Sequence, residues 1–200
     1  MPPPAASTAS VRNTLRRFRR NRRGSAAVEF ALVAPVFFAL LFAIIETGIM
    51  FFASQVLETI TQESARIIQT GQAMTPGGVT PTQTGPLTQA DFKKFVCDPL
   101  TNPLANVLFD CTNGIYVDVE SSPSSWPMTI STQIDNTGNF INNMQYNPGV
   151  ACSIVVVRLF YQWPLYVTGL GYNISNLSGN KRLLAATAAF KNEPYNGSCP

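Results

Sequence analysis

The sixteen residues 30–45 contain no charged and no polar side chain, and they are headed by a single carboxylate, Glu29. Such a run has to lie in a membrane or in an equally apolar core. An acid at the mouth of a spanning helix is costly to desolvate, so it marks a functional position and calls for a partner. With the apolar residues beyond it, the span is expected over residues 30–52, which is enough for a hydrocarbon core of ~30 Å at a rise of ~1.5 Å per residue. It crosses once. Pro35 is expected to kink or loosen the helix, a defect that a bilayer protein absorbs by local adjustment. Glu46 stands ~25 Å along the axis from Glu29, which excludes a catalytic pair, and it is expected to snorkel to the far interface.

Charge is distributed unevenly around this run. Seven of the 14 basic residues (Arg12, Arg16, Arg17, Arg19, Arg20, Arg22 and Arg23) precede Gly24, and the remainder carries 7 basic against 11 acidic side chains, a net of −4. Basic runs of this length can hold nucleic acid by counterion release. Arginines directly before an apolar span are more simply a topology signal, keeping the amino terminus cytoplasmic and exporting the chain beyond the span, so no nucleic-acid partner is expected. A twin-arginine export signal fits poorly, because the arginine pairs lead into more Arg and Asn rather than an apolar run.

Beyond the span, Val56, Leu57, Ile60, Ser64, Ile67 and Ile68 recur at helical spacing, with Glu58, Gln62, Arg66 and Gln69 opposite. The helix should therefore continue as an amphipathic rod over residues 25–70, ending at Gly71. Glu63 and Arg66 can pair one turn apart. A Pro/Gly-rich linker, residues 71–87, separates it from an exported domain, residues 88–200. There, Thr88 and Asp91 resemble a capping box opening a short helix, and a second short helix is expected over residues 104–109. Strand signals come at 115–120, more weakly at 128–134, strongly at 153–163, and at 182–190. The fold class is α+β: a long amino-terminal transmembrane and amphipathic helix packed on a small antiparallel sheet wrapped by long loops.

The stretch Gly24-Ser25-Ala26-Ala27-Val28-Glu29-Phe30 resembles the processing site of the type IV pilin family, whose prepilins are cut after a glycine and carry Glu at the fifth mature residue. A cut between Gly24 and Ser25 makes Glu29 that residue. Within the superfamily, the run through residue 37 resembles the TadE-like minor pilins, or pseudopilins, of the tight adherence (Tad, or Flp) pilus system. Major Flp pilins usually have Tyr after the Glu, where this chain has Phe30. The ending Phe190-Lys191-Asn192-Glu193-Pro194 is similar to one common in TadE-like proteins, and residues 66–71 resemble the segment after their helix.

The resemblance implies a cleaved leader, residues 1–24, and a prepilin peptidase as processing partner. It implies a single-pass subunit of the bacterial inner membrane with a periplasmic domain. Other Tad pilins and the inner-membrane assembly platform are then its partners. Glu29, beside Phe30, is the implied docking residue, neutralising the new ammonium of Ser25 on a neighbour, and the subunit would help start or cap a pilus used in adhesion. An ordinary signal peptide cut near Ser54 is a poorer reading, because the apolar stretch exceeds the usual ~7–15 residues and Glu46 interrupts it. An uncleaved anchor would leave Glu29 without a partner.

Cys97, Cys111, Cys152 and Cys199 all lie after the span. No Cys-x-x-Cys pair and no histidine is present, so a metal site is not expected. An oxidising compartment favours two disulfides. Three pairings are possible, and the favoured one joins Cys97 to Cys111 and Cys152 to Cys199.

No Walker, dinucleotide or nucleophile-elbow motif is found, and the lack of histidine excludes the usual triads. No enzymatic activity and no cofactor are expected. Asp110, Asp118, Glu120 and Asp135 match no calcium-loop spacing and read as a solvated face or turn residues. The other function class is a membrane-anchored binding module or adhesin, which would need a pocket of convergent polar groups. The aromatics Phe160, Tyr161, Trp163 and Tyr166 are expected to be core and loop packing rather than a ligand face.

Overall fold

The computed structural model describes residues 24–123, 130–168, 172–195 and 199. The arginine-rich segment, with Arg16, Arg17, Arg19, Arg20, Arg22 and Arg23, lies outside these, as do residues 128 and 129 of the weaker strand signal.

Helix α1 runs over Ser25–Gln69 and continues through Pro35. The chain divides into two compact units, Met1–Ile44 and Ile45–Pro200. In the described part of the first, the helix presents apolar side chains outward, among them Phe30, Leu32, Phe37, Phe42 and Ile44. Phe38 lies 5.5 Å from Phe37 and 6.4 Å from Phe42 between ring centroids. This stretch has the length and composition to cross a membrane.

In the second unit the same helix becomes one-sided. Met50, Ala53, Val56, Leu57, Ile60, Ala65, Ile67 and Ile68 are buried in the main core, while Glu58, Gln62, Glu63 and Arg66 stay exposed. Spacings of three and four put the first set on one stripe, the pattern of a helix that covers a core. Glu63 and Arg66 form no ion pair in the structure. At the helix end Gly71 takes φ +75°, the left-handed conformation glycine adopts at little cost. Its N–H donates to the Ile68 carbonyl at 3.0 Å, and that of Ala73 to Ile67 at 2.9 Å.

Helix α2, Gln89–Val96, has the expected capping box: the Asp91 N–H donates to the Thr88 hydroxyl, and the Thr88 N–H to the Asp91 carboxylate. Its Phe92 and Val96 are fully buried. Helix α3 is a short turn, Pro103–Leu108, entered through proline.

Strands β1 (Ile115–Ser122), β2 (Ile154–Pro164) and β3 (Lys181–Lys191) form one antiparallel sheet in the order β1-β2-β3. The register sets Val117 opposite Leu159 and Val157 opposite Ala188. Alternation points Ile115, Val117, Val119, Val155, Val157, Leu159, Leu184 and Ala186 into the core shared with α1. The other face is roofed by the loop before β2, where the Phe140 ring lies 4.6 Å from Tyr116 and 6.3 Å from Phe160.

Of the weaker strand signal, residues 130–134 form no strand. Ile134 makes only an isolated bridge to Phe140, because this segment closes on itself around Asp135 instead of joining the sheet. Two disulfides, Cys97–Cys111 and Cys152–Cys199, have Cα separations of 5.8 and 5.5 Å. The chain is thus α+β, a long amino-terminal apolar helix with a small antiparallel sheet.

Candidate functional site

Gly24 sits directly before α1 and Ser25 begins it. A Cβ added at Gly24 would meet nothing within 4 Å among the described residues. Glu29 and Phe30 come on the first turns, both exposed. Among the described residues no salt bridge involves Glu29.

Glu46, expected to reach towards the far interface, has partners within the protein. Its carboxylate accepts two backbone N–H groups from the loop after β2, that of Tyr166 on Oε1 at 2.5 Å and that of Val167 on Oε2 at 3.1 Å. At the next residue of the helix, the Thr47 hydroxyl is hydrogen-bonded to the Tyr172 hydroxyl. Each carboxylate oxygen takes one amide, a charge-assisted arrangement stronger than a neutral hydrogen bond. The sequence signal was an acid stranded among apolar residues; nothing in the sequence named the amides that answer it.

The carboxy-terminal motif also has a structural task. Asn192 is buried, its Nδ2 donating to the carbonyls of Pro148 and Val150, both at 3.0 Å, while its N–H donates to Ser153 at 2.8 Å. The Glu193 N–H donates to the carbonyl of Gln69 at 2.9 Å, occupying one of the acceptors left over at the end of α1. Phe190 packs against the core, whereas Lys191, Glu193 and Pro194 are exposed. The motif ties β3 to the end of the helix and to the turn that bears Cys152.

The four acids divide into two kinds. Asp110 and Asp135 are turn residues: Asp110 Oδ1 accepts the N–H groups of Thr112 and Asn113, and Asp135 Oδ1 those of Thr137 and Asn139. Those bonds hold the Asp135 carboxyl below its usual range. Asp118 and Glu120 are not on a solvated face. Asp118 is only 1% exposed, and both converge on Arg158, which reaches Asp118 Oδ2 at 2.5 Å and Glu120 Oε1 at 2.8 Å. Alternation along β1 had put these acids on the side away from the core; the roofing loop, which the sequence leaves as an unstructured polar stretch, buries that side. Partial burial, and then the neighbouring Asp118, push the Glu120 carboxyl up.

Two surface depressions stand out on the described part of the molecule. The larger, about 1010 Å³, lies along the 79–88 loop, α2 and the first disulfide. Two of its charged groups are engaged within the protein, Asp91 with Thr88 and Lys93 Nζ with the Thr112 carbonyl. The smaller, about 320 Å³ and mostly apolar, runs between residues 52–63 of α1 and residues 101–105. Of the aromatic group, Phe160 is buried, Tyr161 and Trp163 are half-buried against the core, and Tyr166 is 84% exposed.

Helix and sheet together define a class: a small disulfide-bonded α+β domain carried on one long apolar helix of membrane-spanning length. Residues 24–66 match the family model of TadE-like proteins, so the chain carries a TadE-like amino-terminal segment that begins at Gly24 and takes in Glu29 and most of α1. No curated protein and no solved structure matches the chain.

Proposed function

We propose that the chain is a minor pilin, or pseudopilin, of the Tad (Flp) pilus machinery, a structural subunit rather than an enzyme. In this reading the helix spans the bacterial inner membrane once, with the arginine-rich leader in the cytoplasm and the disulfide-bonded domain in the periplasm. A prepilin peptidase cuts between Gly24 and Ser25. The cut removes the seven arginines that anchor the leader to the anionic cytoplasmic leaflet and creates an ammonium on Ser25. Glu29 then neutralises that ammonium on a neighbouring subunit, setting the register of the assembling helices, and the apolar face of residues 26–45 supplies the contact. The partners are other Tad pilins and the inner-membrane platform.

The observation that carries this reading is the TadE-like match over residues 24–66. It is supported by the position of that match, which begins at Gly24, directly before the helix that starts at Ser25. Intact mass and amino-terminal sequencing of the membrane-purified protein test it. A mature chain beginning at Ser25, lost on Gly24→Leu substitution, is the expected result; a chain that keeps its arginine tail, or starts near Ser54, rejects it.

A further inference from the structure

The two edges of the sheet are finished differently. Along β1 the loop before β2 takes up the outward main chain: the Val119 N–H donates to the Gln145 carbonyl at 2.9 Å, and the Asn147 N–H donates to that of Val119 at 2.8 Å. The Val117 carbonyl accepts the Gln89 side-chain amide at 2.8 Å. β3 forms the other edge. Just past its end the Asn192 N–H turns inward, to the Ser153 carbonyl that leads into β2. The N–H groups of Leu183 and Glu193 turn the other way, to the Asn176 side chain at 2.7 Å and the Gln69 carbonyl at 2.9 Å. Main-chain direction alternates along a strand, so Ala185, Thr187, Ala189 and Lys191 also point their N–H and C=O groups outward. Among the described residues nothing accepts from these N–H groups.

The open stretch has definite ends. At one, the Lys181 carbonyl accepts the N–H groups of Asn176 and Leu177 at 3.2 and 3.0 Å, which with the Leu183 bond fills the place beside the strand. At the other, the end of α1 fills it at Glu193. Between them lie residues 185–191, ~20 Å at ~3.4 Å per residue. Natural edges are blunted by bulges, proline or charge; here the pairing with β2 runs residue for residue from Lys181 to Lys191, and the solvent face offers Ala185, Thr187 and Ala189, all exposed. Only an extended chain matches this spacing of N–H and C=O groups, so a strand completes the edge. A second copy of β3 fits badly. Two-fold antiparallel pairing over 185–191 sets Leu183 of one copy opposite Glu193 of the other, forcing the Asn176 cap and an end of α1 into one gap. A lone strand can leave the edge at both ends. Exposed Lys181 and Lys191 bracket the stretch and no acid occurs over residues 181–192, so acids towards the ends of that strand are favoured. The small side chains of the solvent face leave room for β-branched neighbours.

We propose that the open edge of β3 is a docking site for an extended segment of a different protein, a strand of about seven residues with β-branched side chains and acidic ends, added to the sheet through main-chain hydrogen bonds. The site lies within the second compact unit and does not depend on how α1 is processed or assembled. Isotope-labelled full-length protein in detergent micelles is mixed with a probe heptapeptide, alternating valine and threonine with a glutamate at each end, acetylated and amidated. Amide exchange is read residue by residue by NMR.

In the free protein the amides of Ala185, Thr187 and Ala189 should exchange fast and those of Ala186 and Ala188 slowly, and the peptide should slow the first set alone. Its affinity should fall ~10-fold or more when lysine replaces both glutamates. Binding should be lost when every valine and threonine nitrogen of the peptide is methylated. It should also be lost in Thr187→Pro, which removes an outward N–H that the sheet itself does not use, and kept in Thr187→Val. If Thr187→Pro does not fold, the methylated peptide decides alone. Slow exchange at 185, 187 and 189 in the free protein at every concentration means that the edge is already covered and overturns the site. Slow exchange that appears only as protein concentration rises gives the edge to a second copy and overturns the proposed occupant. No protection by the peptide, or undiminished binding of its methylated form or to folded Thr187→Pro, overturns strand addition. Equal binding of the lysine-ended peptide overturns the selection for acidic ends.

Discussion

Arg158 on β2 and Asp118 on β1 are direct cross-strand partners, and two guanidinium nitrogens, Nε at 2.9 Å and Nη2 at 2.5 Å, converge on the same carboxylate oxygen, Oδ2. The remaining atoms are used too: Asp118 Oδ1 accepts the Gln145 N–H at 2.8 Å, and Arg158 Nη1 donates to the Ser131 carbonyl at 3.1 Å. The pair thereby fixes both the register of the sheet and the seat of the loop that roofs it.

Removing one member leaves a buried charge with its partner gone, so Asp118→Ala should cost ~3–5 kcal/mol, moderated by Glu120 beside the same guanidinium. Replacing the pair together, Asp118→Val with Arg158→Leu, should recover a large part of that loss. Urea unfolding of the full chain in detergent reads both; a cost under ~1 kcal/mol for Asp118→Ala would mean that the network contributes little beyond a surface pair.

Two carboxyls should shape the acid limb of stability with opposite signs. Glu120 has a raised folded pKa, so its contribution is fully present below the unfolded value of 4.5 and is lost as pH rises through the folded value. Asp135 has a lowered one, so its contribution is present above the unfolded value of 3.8 and is lost as pH falls through the folded value. Unfolding midpoints measured from pH 3 to 7 should therefore rise at the upper end for Glu120→Gln relative to the parent, and flatten at the acid end for Asp135→Asn. Parallel curves for all three proteins would contradict both assignments.

The disulfides should differ in weight because they close loops of different length, with sequence separations of 14 and 47. Chain-entropy reasoning gives ~3 kcal/mol for Cys97–Cys111 and ~4 kcal/mol for Cys152–Cys199. Paired Cys→Ser variants, compared by unfolding under non-reducing conditions, check the order. A larger loss at the shorter loop would show that native-state contacts, not loop closure, dominate.

Gly71→Ala should be destabilising by ~1–2 kcal/mol from the left-handed backbone alone, and by more because its Cβ would run into the Tyr195 ring. In a Tyr195→Ala background the same substitution should cost only the backbone part. Thermal melts of the four proteins form the cycle, and additive effects would deny the contact.

For assembly, Glu29→Ala should leave processing intact and lower incorporation into the pilus assembly by ~10-fold or more, since an ammonium buried without its partner costs ~3–5 kcal/mol. Quantitative immunoblots of sheared pili and membranes measure it. Incorporation at the parental level would reject the charge pair.

Local chemistry made much of this molecule legible without coordinates. The apolar run of residues 30–45, the stripe from Val56 to Ile68, the stop at Gly71 and the Thr88–Asp91 box depend on neighbours within a turn or two, and the α+β class comes from them with the three alternating strands. The Val-rich centre of β2 could be read because consecutive β-branched residues suit few other structures. The long-range relationships needed the fold. Asp118 and Glu120 looked solvent-facing by alternation, and a loop with no periodic signal buried them against Arg158, a residue that drew no notice in the middle of an apolar strand. Glu46 was read as reaching for the interface, yet its carboxylate is met by two main-chain amides more than a hundred residues away, and a backbone N–H carries no mark in the sequence. Periodicity reports which face of an element is apolar; only the closing of distant segments says what lies over the other face.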